Sequence, residues 1–364
     1  MSDAPVVVAA LRSAIGTAGH AFASVPAAEL AAPVLAAVAA AVPVAPAEVL
    51  LGNCTGPGGD LARVAALTAG LPVEVPALTV DRQCASGLAA VALAARAVRT
   101  EPGLALTGGV ESASTSTRPG RAVFAPPALG DPDMGPAADT LAARFGVTRA
   151  EQDAYAARSH ARAVAAQQAG RFDAEVVPVA GVARDERPRP GLTEQRLARL
   201  RPAWGGTGTA GNSCGVNDGA AVVAVVDAAT HAELAVPGLR VLATATTGSD
   251  PALPGLSLVP AARAALERAG LGLDDLDVVE LNEAFAGQVL ACCRALDLDP
   301  GRVCPQGGAL ALGHPWGASG AVLVVRLFSQ LVRAGGGRYG LAAIAAGGGQ
   351  GVAVVVEAVG PVPG

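Results

Sequence analysis

The stretch Leu78–Leu88, which reads LTVDRQCASGL, passes from a short apolar run through a polar turn into an alanine-rich segment. Leu78–Val80 has the composition of a strand, and Ser86–Val98 places apolar residues at the spacing of a helix. The same succession recurs at Val278–Leu281 and Ala284–Leu296. Strands that alternate with helices along the chain predict an α/β architecture with largely buried strands.

Length and composition place the chain among globular proteins. Its 364 residues predict two or three packed units, and 51% of the residues are apolar while only 16% are charged. The formal charge is −5, and acidic and basic residues are mixed along the chain without basic blocks. A surface that binds nucleic acid is therefore not expected.

The sequence predicts neither a membrane span nor a secretory signal. The uncharged stretch Leu30–Ala47 is mostly alanine and contains three prolines, so we interpret it as a soluble helix that ends near Pro43. Val6–Leu11 predicts a first buried strand and lacks a signal-peptide cleavage site. The cysteines show no C-x-x-C spacing, which favours reduced thiols in the cytoplasm and no metal site. They are Cys54, Cys84, Cys214, Cys292, Cys293 and Cys304.

Cys84 falls where the predicted strand Leu78–Val80 turns into the helix that starts near Ser86. Unpaired N–H groups and the dipole at a helix N-terminus stabilise anions, so this position predicts a lowered thiol pKa. Its small neighbours leave room for a substrate. The alternative is an inert buried thiol, because free cysteine packs as a small hydrophobic residue.

His314 is framed by glycines in the stretch Gly307–Gly320, which reads GGALALGHPWGASG and is followed by a helix through Val322–Leu331. Pro315 fixes the backbone after the histidine, which predicts a rigid loop that presents an imidazole in a cleft. The alternative is a loop histidine satisfied by backbone groups. The other histidines are expected in surface or packing roles and are His20, His160 and His231.

Asn282 and Glu283 follow the predicted strand Val278–Leu281 at a strand-to-helix junction. In open α/β sheets ligands bind beyond the carboxyl ends of the strands, so we expect both side chains to face a site. The alternative is that Asn282 caps the following helix.

Three consecutive glycines lie in Ala345–Gly351, which reads AAGGGQG and precedes the predicted strand Val352–Val356. A dinucleotide fingerprint leads from a strand into a helix, whereas these glycines lead into a strand. A nucleotide cofactor is therefore not predicted. The glycines instead predict exposed backbone N–H groups and close approach of a substrate.

The middle of the chain has a different composition. From about Ser112 to Gly211 it becomes rich in Pro, Gly, Arg and Asp, with a helical piece at Thr148–Gly170. This shift predicts an inserted domain between two α/β halves. The second half opens near Leu239–Thr246.

Taken in order, the segments Cys84–Gly87, Asn282–Phe285, Gly313–Pro315 and Gly347–Gly351 resemble the four hallmark motifs of the thiolase family. The similarity extends over essentially the whole chain. It implies an α/β thiolase fold of five layers, αβαβα, made of two similar halves with an inserted loop domain over the active site. The implied domains are residues 1–111 with 212–235 for the N-terminal half, 112–211 for the loop domain and 236–364 for the C-terminal half.

The resemblance implies an acyltransferase that acts on an acyl-CoA or another pantetheine thioester, without a cofactor beyond the coenzyme A of its substrate. Cys84 would carry the acyl group, and His314 would activate the thiol. Asn282, through a water, and His314 would bind one thioester oxygen, while the N–H groups of Cys84 and Gly347 would bind the acyl oxygen. A homodimer or homotetramer is also implied. The implied substrate-facing residues are Met134, Cys214, Phe285 and Trp316.

Ala345 departs from the family pattern, in which a second cysteine at this position exchanges a proton with the α-carbon of the incoming acyl-CoA. A methyl group cannot exchange a proton, so Claisen condensation and thiolysis of 3-ketoacyl-CoA should be impaired, by about 10²–10⁴-fold. Neither Cys214 nor Cys304 is predicted to replace the missing thiol.

Three explanations of Ala345 remain open. The alanine is an introduced substitution for a natural cysteine, and the natural protein is an ordinary thiolase. Alternatively, the enzyme is limited to acyl transfer, hydrolysis or decarboxylative condensation. Finally, the chain is a non-catalytic partner subunit.

Overall fold

The computed structural model describes residues 3–117 and 120–361, which form strands and helices in alternation. The strands are β1 (Val6–Ser13), β2 (Gly16–Thr17), β3 (Pro46–Gly52), β4 (Ala77–Val80), β5 (Leu104–Ser112), β6 (Val176–Val177), β7 (Asn217–Val226), β8 (Gly238–Gly248), β9 (Val278–Leu281), β10 (Tyr339–Ala346) and β11 (Gln350–Val359). The helices are α1 (Ala27–Ala40), α2 (Leu61–Thr68), α3 (Ser86–Thr100), α4 (Met134–Arg144), α5 (Arg149–Gln168), α6 (Glu194–Leu197), α7 (Ala228–Leu234), α8 (Leu258–Ala269), α9 (Ala286–Leu296), α10 (Ala309–Leu312) and α11 (Trp316–Leu327). Helix α11 continues as a π-helix over Phe328–Arg333.

The predicted strands and helices are confirmed, with shifts of a few residues at their ends. Helix α1 ends at Ala40, before Pro43, and accommodates Pro33 in its interior. Helix α11 begins at Trp316, earlier than predicted, because the glycine-rich loop ends at Pro315. Within residues 3–117 and 120–361 we find no helix whose length and hydropathy would let it cross a bilayer.

The long strands form one sheet with the order β4-β3-β5-β7-β1-β8-β11-β10-β9. Strands β1 and β8 are joined by two antiparallel pairs, Val6 with Arg240 and Val7 with Leu239. This short junction divides the sheet into a first half, from β4 to β1, and a second half, from β8 to β9.

The two halves share one strand pattern. In the first half, β4, β3 and β5 run parallel, and β7 and β1 follow in antiparallel pairing. In the second half, β9 and β10 run parallel, and β11 and β8 follow in antiparallel pairing. Val303 forms a parallel bridge to Val279 of β9 and so takes the place that β4 has beside β3 in the first half. Helix α3 follows β4, and α11 follows Val303, at matching places. The prediction of two similar halves is confirmed.

Three hydrophobic clusters pack five layers of helices and sheet against one another. One cluster packs α1 and α2 against the outer face of the first half, with Leu30, Leu35 and Leu106 fully buried. The central cluster encloses α3 and α11 between the two halves of the sheet. The third packs α8 and α9 on the outer face of the second half. Each fully buried leucine stabilises this packing by about 1.5–3 kcal/mol, and the resulting order is the predicted αβαβα.

Helices α3 and α11 cross in the central layer at glycines. A Cβ atom on Gly87 would lie 2.7 Å from the carbonyl oxygen of Gly317, and one on Gly320 would lie 2.5 Å from the backbone nitrogen of Leu88. Only glycine permits such a backbone approach. The crossing brings the loop before α3, which carries Cys84, to the loop before α11, which carries His314.

The segment between β5 and β7 contains α4, α5, α6 and β6. It is tied to the first half of the sheet by Arg12 of β1, which forms buried ion pairs with Glu175 at 2.8 Å and with Asp185 at 2.7 Å. Because a buried guanidinium without partners is strongly destabilising, these pairs fix how the segment lies against the sheet.

Candidate active site

One cavity brings together the residues that the resemblance to thiolases implies as catalytic or substrate-facing. The cavity lies where α3, α4, α9 and α11 meet the end of β10. Its lining includes Cys84, Met134, Cys214, Asn282, Phe285, His314, Trp316, Ala345 and Gly347. These residues come from widely separated parts of the chain, so the tertiary fold assembles the site.

Cys84 lies in the turn between β4 and α3, two residues before the helix begins at Ser86. Gln83 before it has a positive φ of 49°, a conformation that turns the chain sharply into the cavity. The prediction of a lowered thiol pKa is wrong for the unliganded protein, because burial raises the pKa of Cys84 to about 12, and the backbone N–H of Cys84 only partly opposes this. The loss of hydration therefore raises the pKa of this thiol more than the helix N-terminus lowers it.

His314 is buried, and its ring is held through Nδ1. Nδ1 lies 2.6 Å from the hydroxyl oxygen of Ser319, and that hydroxyl donates to the carbonyl oxygen of Pro315 at 3.1 Å. The serine therefore accepts from Nδ1–H, which assigns the tautomer with an unprotonated Nε2. Burial lowers the pKa of His314 to about 4, so the imidazole is a neutral base at neutral pH. Its backbone N–H donates to Oδ1 of Asn217 at 2.9 Å.

Asn282 and Glu283 point in different directions. Asn282 lines the cavity, and its Oδ1 is buried without a hydrogen-bond partner among the described residues. The first residue of the next helix is Ala286, so Asn282 does not cap it.

Glu283 does not face the site, contrary to the expectation from its position. Its carboxylate accepts from Tyr155 Oη at 2.8 Å, from Ser159 Oγ at 2.7 Å and from the N–H of Leu310 at 3.2 Å. Burial raises the pKa of Glu283, and these donors oppose the shift. The residue ties α5 and α10 to the end of β9.

The glycine run forms the turn between β10 and β11. Gly348 and Gly349 have positive φ angles of 76° and 73°, and a Cβ atom on Gly347 would lie 2.7 Å from the ring of Phe124. Ala345 stands on β10 opposite Gly351, with its methyl group partly exposed to the cavity. Position 345 therefore contributes only a methyl group to the wall of this cavity.

The remaining predicted residues form the walls of the cavity. Met134 starts α4, and Trp316 starts α11. Phe285 packs edge-to-face against Trp204, with ring centroids 5.6 Å apart. Cys214 is held by its backbone N–H, which donates to the carbonyl oxygen of Ala284 at 2.9 Å.

A second cavity adjoins the first and connects it with the surface. Both cavities share Cys84, Met134, Trp316 and Gly347. The second also reaches Val216, which is 49% exposed. Cys84 therefore borders both cavities.

Two functional contacts were missed from the sequence. Ser319 orients His314, and its only sequence signal is that it lies one turn into the helix that follows the histidine. Glu111 is buried and accepts from the N–H groups of Cys54 and Gly317 at 3.2 Å and 3.0 Å, which holds the start of α11 in place. A glutamate at the end of an apolar strand gives no local sign of these long-range partners.

In residues 3–117 and 120–361, no group of three or more His, Cys, Asp or Glu side chains is placed to hold a metal ion. The Cys84 thiol, the neutral imidazole of His314 and the amide oxygen of Asn282, which has no hydrogen-bond partner among the described residues, meet at one cavity of a two-half αβαβα fold.

Comparison with known proteins identifies the family. The family model described as thiolase, N-terminal domain, matches residues 5–131 and 127–229, and that described as thiolase, C-terminal domain, matches residues 236–358. This chain belongs to the thiolase family.

Several relatives cover nearly the whole chain. An acetyl-CoA acetyltransferase of Pseudomonas aeruginosa is 41% identical, with 96% of this chain and 98% of the relative covered. A β-ketoadipyl-CoA thiolase of the same organism is 42% identical, with 99% and 100% covered. The crystal structure of an acetyl-CoA acetyltransferase from Bacillus anthracis superposes with a TM-score of 0.91 at 36% identity and covers 98% of this chain and 99% of that chain.

Proposed function

We propose that this protein is an acyltransferase of the acetyl-CoA C-acetyltransferase type, which takes an acyl group from acyl-CoA onto Cys84. The observation that carries the proposal is the meeting of Cys84, the unprotonated Nε2 of His314 and the unpartnered Oδ1 of Asn282 at one cavity. The names of the relatives, acetyl-CoA acetyltransferase and β-ketoadipyl-CoA thiolase, support the same class of reaction.

Acylation begins from an uncharged pair. Because burial raises the pKa of Cys84 to about 12 and lowers that of His314 to about 4, the resting protein holds a thiol and a neutral imidazole. His314 takes the thiol proton as the sulfur attacks the thioester carbon, and the carbon–sulfur bond to coenzyme A breaks. The departing thiolate takes the proton from His314, so protons and charge balance.

Two sets of donors are available to stabilise oxygen anions. Asn282, through a bound water, and His314, once its Nε2 carries the proton taken from a thiol, bind the oxygen of one thioester. The backbone N–H groups of Cys84 and Gly347, which both border the cavity, bind the oxygen of the acyl group on Cys84. A preorganised donor of this kind contributes about 2.7–4 kcal/mol to lowering a barrier.

The walls of the cavity favour an uncharged acyl group. Met134, Phe285 and Trp316 offer apolar surface, and Cys214 lies beside the site of the thioester. The pantetheine arm enters along the second cavity, past Val216. We propose that residues 112–211 act as a loop domain over the site, between halves formed by 1–111 with 212–235 and by 236–364.

Intact-mass spectrometry tests the acyl-enzyme. After incubation with acetyl-CoA, we expect a mass gain of one acetyl group that is abolished by Cys84→Ala. Cys54→Ala is the matched control, because Cys54 lies in the adjoining cavity and should leave the mass gain intact. An unchanged mass of the pure protein with several acyl-CoAs contradicts the proposal and favours a non-catalytic partner subunit.

We further infer that the protein works as a homo-oligomer in the cytoplasm. All six cysteines are free thiols, which fits a reducing compartment. Strand β4 is an open edge among the described strands of the sheet. Leu78 within β4 is 51% exposed and Val73 before it is 68% exposed, which suits pairing with a second copy. Light scattering on the purified protein tests this inference, and a monomer at micromolar concentration contradicts it.

A further inference from the structure

We propose that Cys214 exchanges the proton of the α-carbon of the second acyl-CoA, in place of the thiol that is absent at Ala345. The inference rests on the proposed function, because it requires an acyl group on Cys84. It assigns proton transfer to a residue that is expected from the sequence to face the substrate but not to replace the missing thiol.

The cavity offers few groups that can exchange a proton. Among its described lining residues, the titratable side chains are Cys84, Cys214 and His314. During condensation the sulfur of Cys84 is acylated, and His314 must protonate that sulfur as it leaves. Ala345 contributes only a methyl group. Cys214 is therefore the remaining thiol among the described lining residues of this cavity.

The backbone ties Cys214 to the strand-to-helix junction that carries Asn282. Its N–H donates to the carbonyl oxygen of Ala284, and Ser213 pairs with Phe285 in an isolated bridge. Both contacts join the Cys214 segment to the residues that follow Asn282. The buried, unpartnered Oδ1 of Asn282 marks where a polar atom of a ligand or its water binds. Since the α-carbon is bonded to the thioester carbon, a base at this wall is well placed for it.

The guanidinium of Arg187 lies next to the backbone that follows Cys214. A Cβ atom on Gly215 would lie 2.2 Å from Nη1 of Arg187, so the glycine leaves space for the guanidinium, and the buried Nε of Arg187 has no hydrogen-bond partner among the described residues. Burial raises the pKa of Cys214 to about 12, and Arg187 acts against this shift. A cation at this point stabilises the thiolate that a base requires.

The proposed steps balance. Cys214 passes its thiol proton to Nε2 of His314, and its thiolate then removes a proton from the α-carbon, which leaves an enolate. The enolate carbon attacks the carbonyl carbon of the acyl group on Cys84, so a carbon–carbon bond forms and the bond to Cys84 breaks. The imidazolium of His314 protonates the released thiolate of Cys84. Thiolysis follows the same steps in reverse.

Exchange of the methyl protons of acetyl-CoA with D₂O tests this role, because it reports α-proton removal without carbon–carbon bond formation. Cys214→Ser keeps the size of the side chain and its polarity but removes the acidic thiol. We expect exchange at saturating acetyl-CoA to fall by about 10²–10⁴-fold, while the mass gain on Cys84 persists. If Cys214 only contacts the pantetheine arm, KM rises and exchange at saturation stays at the wild-type rate, which overturns the proposal.

Restoring a thiol at 345 provides a rescue. Ala345→Cys in the Cys214→Ser protein should recover exchange, because both positions would serve the same α-carbon. Failure of the double variant to recover exchange, with the protein folded and acylated, overturns the proposal.

Arg187→Gln is a second variant, at a residue outside the cavity lining. The groups that face Cys214 are the Arg187 cation, the Cys84 thiol and the His314 imidazole. Removing the cation should move the pH profile of exchange to higher pH, and an unchanged profile overturns the proposal. A wild-type protein that is acylated but exchanges no α-protons overturns this inference alone, whereas absence of acylation overturns the proposed function.

Discussion

Nδ1 of His314 lies 2.6 Å from the hydroxyl oxygen of Ser319, within the first turn of helix α11. The serine fixes both the orientation of the ring and its tautomer, because its own proton goes to the carbonyl oxygen of Pro315. A side chain that does not touch the substrate thus keeps Nε2 ready to accept a proton.

Ser319→Ala should slow acylation of Cys84 by about 10-fold or more, as part of the 10²–10⁴-fold that a general base supplies. The neutral ring would lose its Nδ1 partner and populate the tautomer that has a protonated Nε2. Rapid-quench mass spectrometry measures the acylation rate. Ser319→Thr keeps a hydroxyl group and is the control, so equal rates for the Ala and Thr variants would contradict this role.

The pH dependence of acylation should follow the lowered pKa of His314. The neutral base form persists above a pKa of about 4, so acylation is retained between pH 5 and pH 7 and is lost as the pH falls through about 4. An exposed histidine, with a pKa near 6.5, would already lose the base form at mildly acidic pH. Acylation rates measured between pH 3.5 and pH 7 decide between these profiles.

Alkylation of Cys84 by iodoacetamide should be slow at neutral pH. Burial raises the pKa of this thiol to about 12, so the rate should climb with pH up to about pH 10 without reaching a plateau. A free cysteine, with a pKa of about 8.5, approaches its plateau in that range. Peptide mapping isolates the Cys84 signal, and a plateau near pH 8 would show that the thiolate is stabilised in the resting protein.

Asn282→Ala should slow acyl transfer while leaving the reactivity of the Cys84 thiol unchanged. The amide is expected to act on the thioester oxygen, and the loss of such a group costs about 10²–10³-fold in rate. Alkylation by iodoacetamide does not use that oxygen, so its rate serves as the internal control. Equal losses in both reactions would indicate a general distortion of the cavity instead.

Gly317→Ala should destabilise the protein and misplace the catalytic loops. The new Cβ atom would lie 2.8 Å from Cα of Asn53 and 2.9 Å from the carbonyl oxygen of Val110. Overpacking of this kind costs about 1–3 kcal/mol in the free energy of unfolding. Gly248→Ala is the control, because a Cβ atom there meets nothing within 4 Å. Urea unfolding of both variants tests the contrast, which fails if the two are equally stable.

Much of this fold could be predicted from local patterns. The strand β4, the helix α3 and the pair β9 and α9 lie close to where apolar spacing places them, because strand and helix periods depend on neighbours in the sequence. Glu283 shows the limit of that reasoning. Its position after a strand suggested a site residue, yet Tyr155, Ser159 and Leu310 bind its carboxylate inside the core.

The protonation states of Cys84 and His314 also could not be predicted from neighbouring residues in the sequence. The helix that follows Cys84 suggested a stabilised thiolate, but burial raises the pKa of Cys84 and lowers that of His314. Dehydration is a property of the assembled cavity, and no sequence neighbour reports it. Arg187 likewise acquires its relation to Cys214 only through packing.

The sequence by itself determined the order of strands and helices, the ordered motifs that resemble thiolases and the methyl group at Ala345. Only the tertiary structure decided which side chains share a cavity, because the crossing of α3 and α11 at Gly87 and Gly317 joins segments that are far apart in the chain. It also decided that the thiol and the imidazole rest uncharged, since the free energy of a buried charge depends on all surrounding groups.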